Sequence, residues 1–214
     1  MKFLTKKLTR SNIKNFVSKH ASDGKTLDIG CASSVYSKYF PNRVGLDIKA
    51  GAGVDVVADA HKLPFDDESF NIVLCTEVLE HLHSPEIAIN EMERVLIKGG
   101  KLILTTRFIF PIHEAPNDYF RYTKYGLRHL FSGWDILGIK EEISTLRTIA
   151  VLMQRIGYQT KLKGGKFSKI IVFLLAKLIY SLDWMVKEEF GDIKRSKKEV
   201  GIMTSGYYII CQKR

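Results

Sequence analysis

The sequence predicts an α/β fold with a mostly parallel sheet, and three observations carry the prediction. Short apolar runs of strand length recur between residues 26 and 106 and alternate with segments of helical period. Two of these runs, TLDIG at 26–30 and RVGLDI at 43–48, are almost continuously apolar, as strands buried on both faces are. Each also carries a carboxylate at or near its end, Asp28 and Asp47, and a third run closes on Asp59. In a parallel sheet such strand ends lie side by side at the edge where these folds bind ligands.

In chain order, residues 1–22 read as a helical lead-in, with Phe3, Leu4, Leu8, Ile13, Phe16 and Val17 forming an apolar stripe among lysines. Its expected role is packing on the sheet, with a lid over a ligand as the alternative. The first strand ends at Gly30, where a missing side chain lets the backbone pass close to a ligand. A short helix is expected over 33–40, its amino end facing that ligand. The second strand follows, and Asp47 at its tip can accept two ribose hydroxyl protons. Only residues 49–53 separate it from a third strand at 54–58, too few for the usual crossover helix, so a loop is predicted there. The G-x-G-x-x-G that holds a pyrophosphate is absent, since Gly30 is followed by Cys31-Ala32-Ser33-Ser34. That argues against a nicotinamide-dependent oxidoreductase.

Residues 70–77 read as the fourth strand, and 77–82 with 86–95 as helix, capped by Ser84 and started by Pro85. Gly99-Gly100 would stop that helix before a fifth strand at 101–106. A loop rich in His, Asp, Tyr and Arg then leaves the strand at its carboxyl end, over the same edge. Thr123 can cap a helix through 127–131. A sixth strand is expected at 134–143, a helical insert over 145–204 near the pocket mouth, and a final antiparallel edge strand at 206–213, making seven strands.

The motifs within these elements are LDIGCAS at 27–33, GLDI at 45–48, ADAHKLPFDDESFNIVLCTEVLEHL at 58–82 and RVLIKGGKLIL at 94–104. In kind and order they resemble the class I S-adenosylmethionine-dependent methyltransferases, in particular the broad small-molecule, type 11-like group. The resemblance implies a Rossmann-like single domain over 1–214 and S-adenosyl-L-methionine as cofactor. Asp28 and Gly30 would then shape the loop around the methionine moiety, Asp47 would bind the ribose, and Asp59 the adenine amino group. Cys31, Ala32, Ile48, Ala60, Thr76 and Glu77 would complete the cofactor contacts. Ala32 and Ser34 replace two of the family's glycines, so the loop should be stiffer or slightly displaced. The segment PIHEAPNDYFRYTKYGLRHLF at 111–131 resembles members of this group linked to polysaccharide and glycan modification. It implies a small-molecule or glycan acceptor.

If the acceptor is a hydroxyl, a general base helps to remove its proton, and His81 and His113 are the catalytic candidates, with Glu77 behind them. Tyr119, Arg121 and Tyr122 could bind a sugar or phosphate, Arg121 by a bidentate grip; the alternative is an ion pair stitching the loop. Glu77, Glu80 and His81 would share a helix face and could ligate a divalent ion. No metal is assigned, because that stretch looks equally like a helix start and the nearby Asp residues are committed elsewhere.

Lys and Arg number 33 against 23 Asp and Glu, a net charge of +10 that favours anionic partners. Nucleic acid ranks low, there being neither an Asn-Pro-Pro-Tyr type motif nor an interleaved stacking platform. The three cysteines form no C-x-x-C pair, which suggests a reducing compartment, and the amino terminus has no signal-peptide core. A cytoplasmic protein is expected. Residues 167–186 are nearly all apolar, but Lys177 argues against a spanning helix. They either pack on the domain or a dimer partner, or lie with 161–166 on an anionic membrane surface, Phe173, Leu174, Ile179 and Trp184 entering the acyl boundary. A lipid-linked acceptor would suit peripheral placement on the inner face of a membrane. The rival to an enzyme is a non-catalytic member of the fold acting as a binding or scaffold module.

Overall fold

The structure, a computed structural model, describes residue 8, residues 10–32 and residues 35–214. The sheet contains β1 (Thr26–Ile29), β2 (Arg43–Asp47), β3 (Val56–Val57), β4 (Phe70–Thr76), β5 (Leu96–Arg107), β6 (Asp135–Glu141) and β7 (Gly206–Gln212), in the order β3-β2-β1-β4-β5-β7-β6. Strands β1 to β5 pair in parallel, with Leu27 opposite Val44 on one side and Val73 on the other. β7 runs antiparallel: Gly99 N–H donates to the Lys213 carbonyl while Phe108 N–H donates to that of Ser205.

The last strand is therefore antiparallel, as expected, but it is not the edge. It enters between β5 and β6 because GYYIICQ is buried along most of its length, whereas DILGIKE in β6 has mostly exposed or half-buried side chains. An interior strand needs apolar residues on both faces; an edge strand does not.

Three other elements differ from expectation. Residues 77–82 are not an α-helix: Glu77 has a left-handed backbone, φ 59°, and only one 3-10 turn, Leu79–His81, follows. The helix α2 (Pro85–Val95) passes directly into β5, so Gly99 and Gly100 lie inside the strand rather than stopping a helix. A Cβ at Gly100 would sit 2.8 Å from the Ile97 carbonyl oxygen and 3.1 Å from that of Asn71. The glycine thus permits close backbone approach at the register shift between Phe70 and Ile72. Between 33 and 40 the described part is a 3-10 turn, Ser37–Tyr39; Ser33 and Ser34 lie outside the described residues. The loop predicted in place of the crossover helix is present between β2 and β3.

The chain divides into two compact units. The first, residues 13–107, 112–140 and 207–214, holds the body of the sheet and α3 (Lys124–Leu130), whose cap is Thr123 Oγ1 accepting from Gly126 N–H at 3.0 Å. Ile13 and Val17, at the end of the lead-in helix α1 (Arg10–Ser18), bury in a cluster with Phe40, Ile72, Leu74 and Ile103, and Phe16 stacks on Tyr208. The lead-in packs on the sheet; Phe3 and Leu4 of its expected stripe lie outside the described residues.

The second unit, residues 1–12, 108–111 and 141–206, is built on α4 (Thr145–Gln159) and α5 (Gly165–Ser181). Phe173 and Ala176 are buried, with the Phe173 ring over Gly157 and 5.1 Å from Tyr158. Phe173 is thus a packing residue and not available to a membrane. Phe167, Ile171, Leu174 and Leu178 form an exposed stripe at helical spacing, with Trp184 exposed beyond it. Among the described residues, no helix is long and apolar enough to cross a membrane.

Candidate functional site

The carboxyl ends of β1 and β2 are joined by backbone donors. After β1 the N–H groups of Gly30 and Cys31 both reach the Leu46 carbonyl, at 2.8 and 3.2 Å. Gly30 has φ 70°, and a Cβ there would sit 2.2 Å from Val78 Cγ2, so only glycine fits. Ala32 has φ 43°, the left-handed conformation that the replaced glycine would adopt without strain. Its N–H donates to Asp47 Oδ2 at 3.0 Å, and Lys49 N–H donates to Asp47 Oδ1 at 3.2 Å. Two backbone donors fix the Asp47 carboxylate and leave lone pairs on both oxygens for further donors. Ile48, 66% exposed, offers an apolar face beside it.

At the end of β3, the Ala58 N–H donates to the Asp47 carbonyl, which brings the next acid alongside. Asp59 Oδ1 accepts from His61 N–H at 2.9 Å and faces His61 Nδ1 at 2.6 Å. His61 Nε2 accepts from Ser84 N–H at 3.3 Å, so the imidazole proton belongs on Nδ1 and is donated to Asp59. The His61 hydrogen bonds hold Asp59 below the usual carboxylate range despite some burial. The His61 ring stacks on His83 at 4.1 Å, and Ala60 beneath is buried.

Asp28 is placed differently from Asp47 and Asp59. Only 2% exposed, it lies 3.4 Å from an Arg43 nitrogen, and burial outweighs the guanidinium to raise its pKa to about 7. Arg43 donates onward to the Gly53 carbonyl at 2.8 Å, where Cys31 Sγ also arrives at 3.2 Å. Asp28 and Cys31 therefore tie down the 49–53 loop rather than face outward. Gly45 makes room for this: a Cβ there would meet Arg43 Nη1 at 2.1 Å. Arg43 carries no motif of its own in the sequence; the only signal is an arginine opening an apolar strand.

Beyond β4, Thr76 pairs in register with Thr105 of β5. Glu77 accepts from Thr105 Oγ1 at 3.0 Å and pairs with Arg107, so it is held against β5 and away from the helix face expected for a metal ligand. His113 meets the turn that carries Glu80 and His81 instead. His81 Nε2 and His113 Nε2 are 3.1 Å apart, and Glu80, wholly buried, points Oε1 at both. His81 Nδ1 donates to the Asn117 carbonyl at 2.6 Å, and His113 Nδ1 lies 3.3 Å from Asp118. Burial, reinforced by His81, pushes His113 down to about 4, so it is neutral at pH 7. Burial pushes Glu80 up.

The loop carrying His113 is anchored to the same turn, with Tyr119 N–H on the Glu80 carbonyl at 2.9 Å. Arg121 grips Asp118 with two nitrogens, at 2.6 and 2.7 Å, so the bidentate geometry expected for a sugar or phosphate is used within the loop. Tyr122 OH reaches the Leu79 carbonyl at 3.4 Å, and Tyr119 is 48% exposed. Asp118, His61 and His83 were missed in the sequence because their roles arise from contacts between distant segments.

Residues 27–104 match the family model described as a methyltransferase domain. Over 95 residues the chain is 36% identical to an uncharacterized protein of Methanocaldococcus jannaschii, covering 40% of this chain and 46% of that protein. It is 28% identical over 116 residues to an uncharacterized methyltransferase of Bacillus subtilis, covering 45% of this chain and 44% of that one. The chain thus spans less than half the length of these relatives. The 1,6-didemethyltoxoflavin-N1-methyltransferase of Burkholderia thailandensis, solved with its substrate and S-adenosylhomocysteine, superposes with a TM-score of 0.57 at 10% identity, over 98% of this chain and 80% of that one. Sheet order, antiparallel last strand and structural likeness together give the chain the class I methyltransferase fold, and its residues 27–104 match the methyltransferase domain model.

Proposed function

We propose that the chain is an S-adenosyl-L-methionine-dependent methyltransferase acting on a small molecule or glycan. The observation that carries this is Asp47, its carboxylate oriented by two backbone N–H groups at a strand end beside exposed Ile48. That combination suits a nucleoside: a bidentate acceptor for two ribose hydroxyls and an apolar surface for the base. The second oxygen of Asp59 serves the adenine amino group, and Ala60 contributes the flat wall beneath it. Gly30, Cys31 and Ala32, with Asp28 behind them, shape the backbone that the methionine part follows, and Thr76 and Glu77 close its far side.

The cofactor's sulfonium makes the methyl group electrophilic, and the protein's part is to align acceptor and donor. With a hydroxyl acceptor, a C–O bond forms as the C–S bond breaks, leaving a neutral thioether. The hydroxyl proton goes to the His81–His113 pair; His113 is unprotonated at pH 7, though burial and His81 make it a weaker base than a free imidazole. Tyr119, Arg121 and Tyr122 frame the acceptor side, Arg121 by holding the loop.

The exposed apolar stripe of α5, with Lys161, Lys163 and Lys166 before it, supports a lipid-linked glycan as acceptor and peripheral attachment to an anionic membrane surface. Calorimetric titration with S-adenosylmethionine and S-adenosylhomocysteine tests the core reading. Micromolar binding, abolished by Asp47→Ala with the fold intact, is expected. A folded protein that binds neither ligand overturns the reading and leaves a scaffold role in its place.

A further inference from the structure

The Glu80, His81 and His113 cluster has chemistry beyond proton transfer. Its three ligand atoms form a triangle with sides of 3.1, 3.8 and 4.0 Å. The point equidistant from all three lies about 2.1 Å from each, the bond length of zinc to imidazole or carboxylate. Two ring nitrogens and a carboxylate oxygen converge there with the carboxylate fully buried and its Oε1 making no hydrogen bond. A buried carboxylate oxygen with no hydrogen bond is costly in an apolar interior, and a cation relieves that cost.

We propose that Glu80 Oε1, His81 Nε2 and His113 Nε2 hold one divalent transition-metal ion. The surroundings are arranged as a metal site's outer partners are. His81 donates its other nitrogen's proton to the Asn117 carbonyl, which directs the Nε2 lone pair inward. His113 Nδ1 faces Asp118, which Arg121 fixes in turn. Thr106 Oγ1 donates to Glu80 Oε2 at 2.9 Å and sets the carboxylate's orientation. The two nearby guanidiniums are each ion-paired with another acid, Arg107 with Glu77 and Arg121 with Asp118.

The donor set selects among metals. Two imidazoles and one carboxylate suit zinc, iron(II), cobalt(II) or manganese(II), and not calcium or magnesium, which favour oxygen cages. Three protein ligands leave coordination positions open. Resting on the methyl-transfer reading, an acceptor oxygen bound at one of them would lose its proton to solvent more readily and be held in one orientation. In a loaded protein the two imidazoles would be ligands and not bases, and the ion would make the acceptor's proton easier to lose to solvent.

Titration of chelator-treated protein with Co2+, followed by visible absorption and calorimetry, tests the proposal. One Co2+ per chain is expected, displaced by Zn2+ and unaffected by Mg2+. Affinity should fall at least tenfold in His81→Ala, in His113→Ala and in Glu80→Gln, the last of which preserves side-chain shape and the Thr106 contact. Asp47→Ala should bind Co2+ as the parent does while losing the cofactor, which separates failure of this proposal from failure of the methyltransferase reading. Absence of Co2+ binding by folded parent, or equal binding by folded His113→Ala, overturns it.

Discussion

Asp28, 2% exposed and 3.4 Å from an Arg43 nitrogen, keeps its proton to about pH 7. Three acids near strand ends pointed to one ligand edge, yet Asp47 and Asp59 are accessible there while Asp28 is buried against Arg43. The distinction was not legible because a strand's sequence does not say which neighbour crosses it. It has a measurable consequence. An unfolded aspartate titrates near 3.9, and Asp28 in the folded chain near 7. Between those values the folded chain holds a proton that the unfolded chain has lost, so this group's contribution to stability falls as pH rises from about 4 to about 7. Asp28→Asn removes that dependence. Urea unfolding across pH 4–8 should show the variant gaining on the parent up to neutrality and then running level; a constant difference would refute the assignment. Ala32, standing in place of a turn glycine and expected to leave the loop stiffer or slightly displaced, occupies the left-handed region.

At the scale of elements, the sequence was a good guide where pattern and packing agreed. The parallel run of strands, the absent crossover helix and the Thr123 cap were all expected from local pattern. It misled at 77–82, where apolar spacing resembled a helix but Glu77 is held by Thr105 and Arg107 on the next strand. It misled again at Gly99-Gly100, where the need was for closeness to Asn71 and not for a helix end. The histidine cluster could not be seen as a unit because His113 arrives from a loop 32 positions beyond His81. The α4–α5 pair supplies a test of packing at this scale. A methyl group at residue 157 would approach the Phe173 ring to 2.9 Å, in a helix pair where that ring is only 3% exposed. Gly157→Ala gains about 1 kcal/mol of helix propensity, yet overpacking costs about 1–3 kcal/mol. A net loss of stability is expected by thermal unfolding, relieved when Phe173→Leu is added. Unchanged or higher stability would show that the ring yields freely.

For the molecule as a whole, charge and exposed apolar surface bear on the same proposal. The net charge of +10 and the stripe of Phe167, Ile171, Leu174 and Leu178 are together suited to an anionic lipid surface. Because those side chains are already exposed, Phe167→Ser with Leu174→Ser and Leu178→Ser should leave the unfolding midpoint almost unchanged. Sedimentation with phosphatidylglycerol vesicles at low salt should capture the parent, release it as salt rises, and fail to capture the triple variant. Equal capture of both proteins would show that the stripe takes no part in lipid binding.

The placement of β7 between β5 and β6 also governs the order in which the sheet can be completed on a ribosome. Strands β2 to β5 each emerge after a neighbour has been made, and can pair as they appear. β6 ends at Glu141, and the strand it pairs with begins only at Gly206. Until those later residues are synthesised, β5 keeps an open edge and β6 has no partner in the sheet. A nascent chain paused between the two would display unpaired backbone to other chains, the state in which strand-edge association begins.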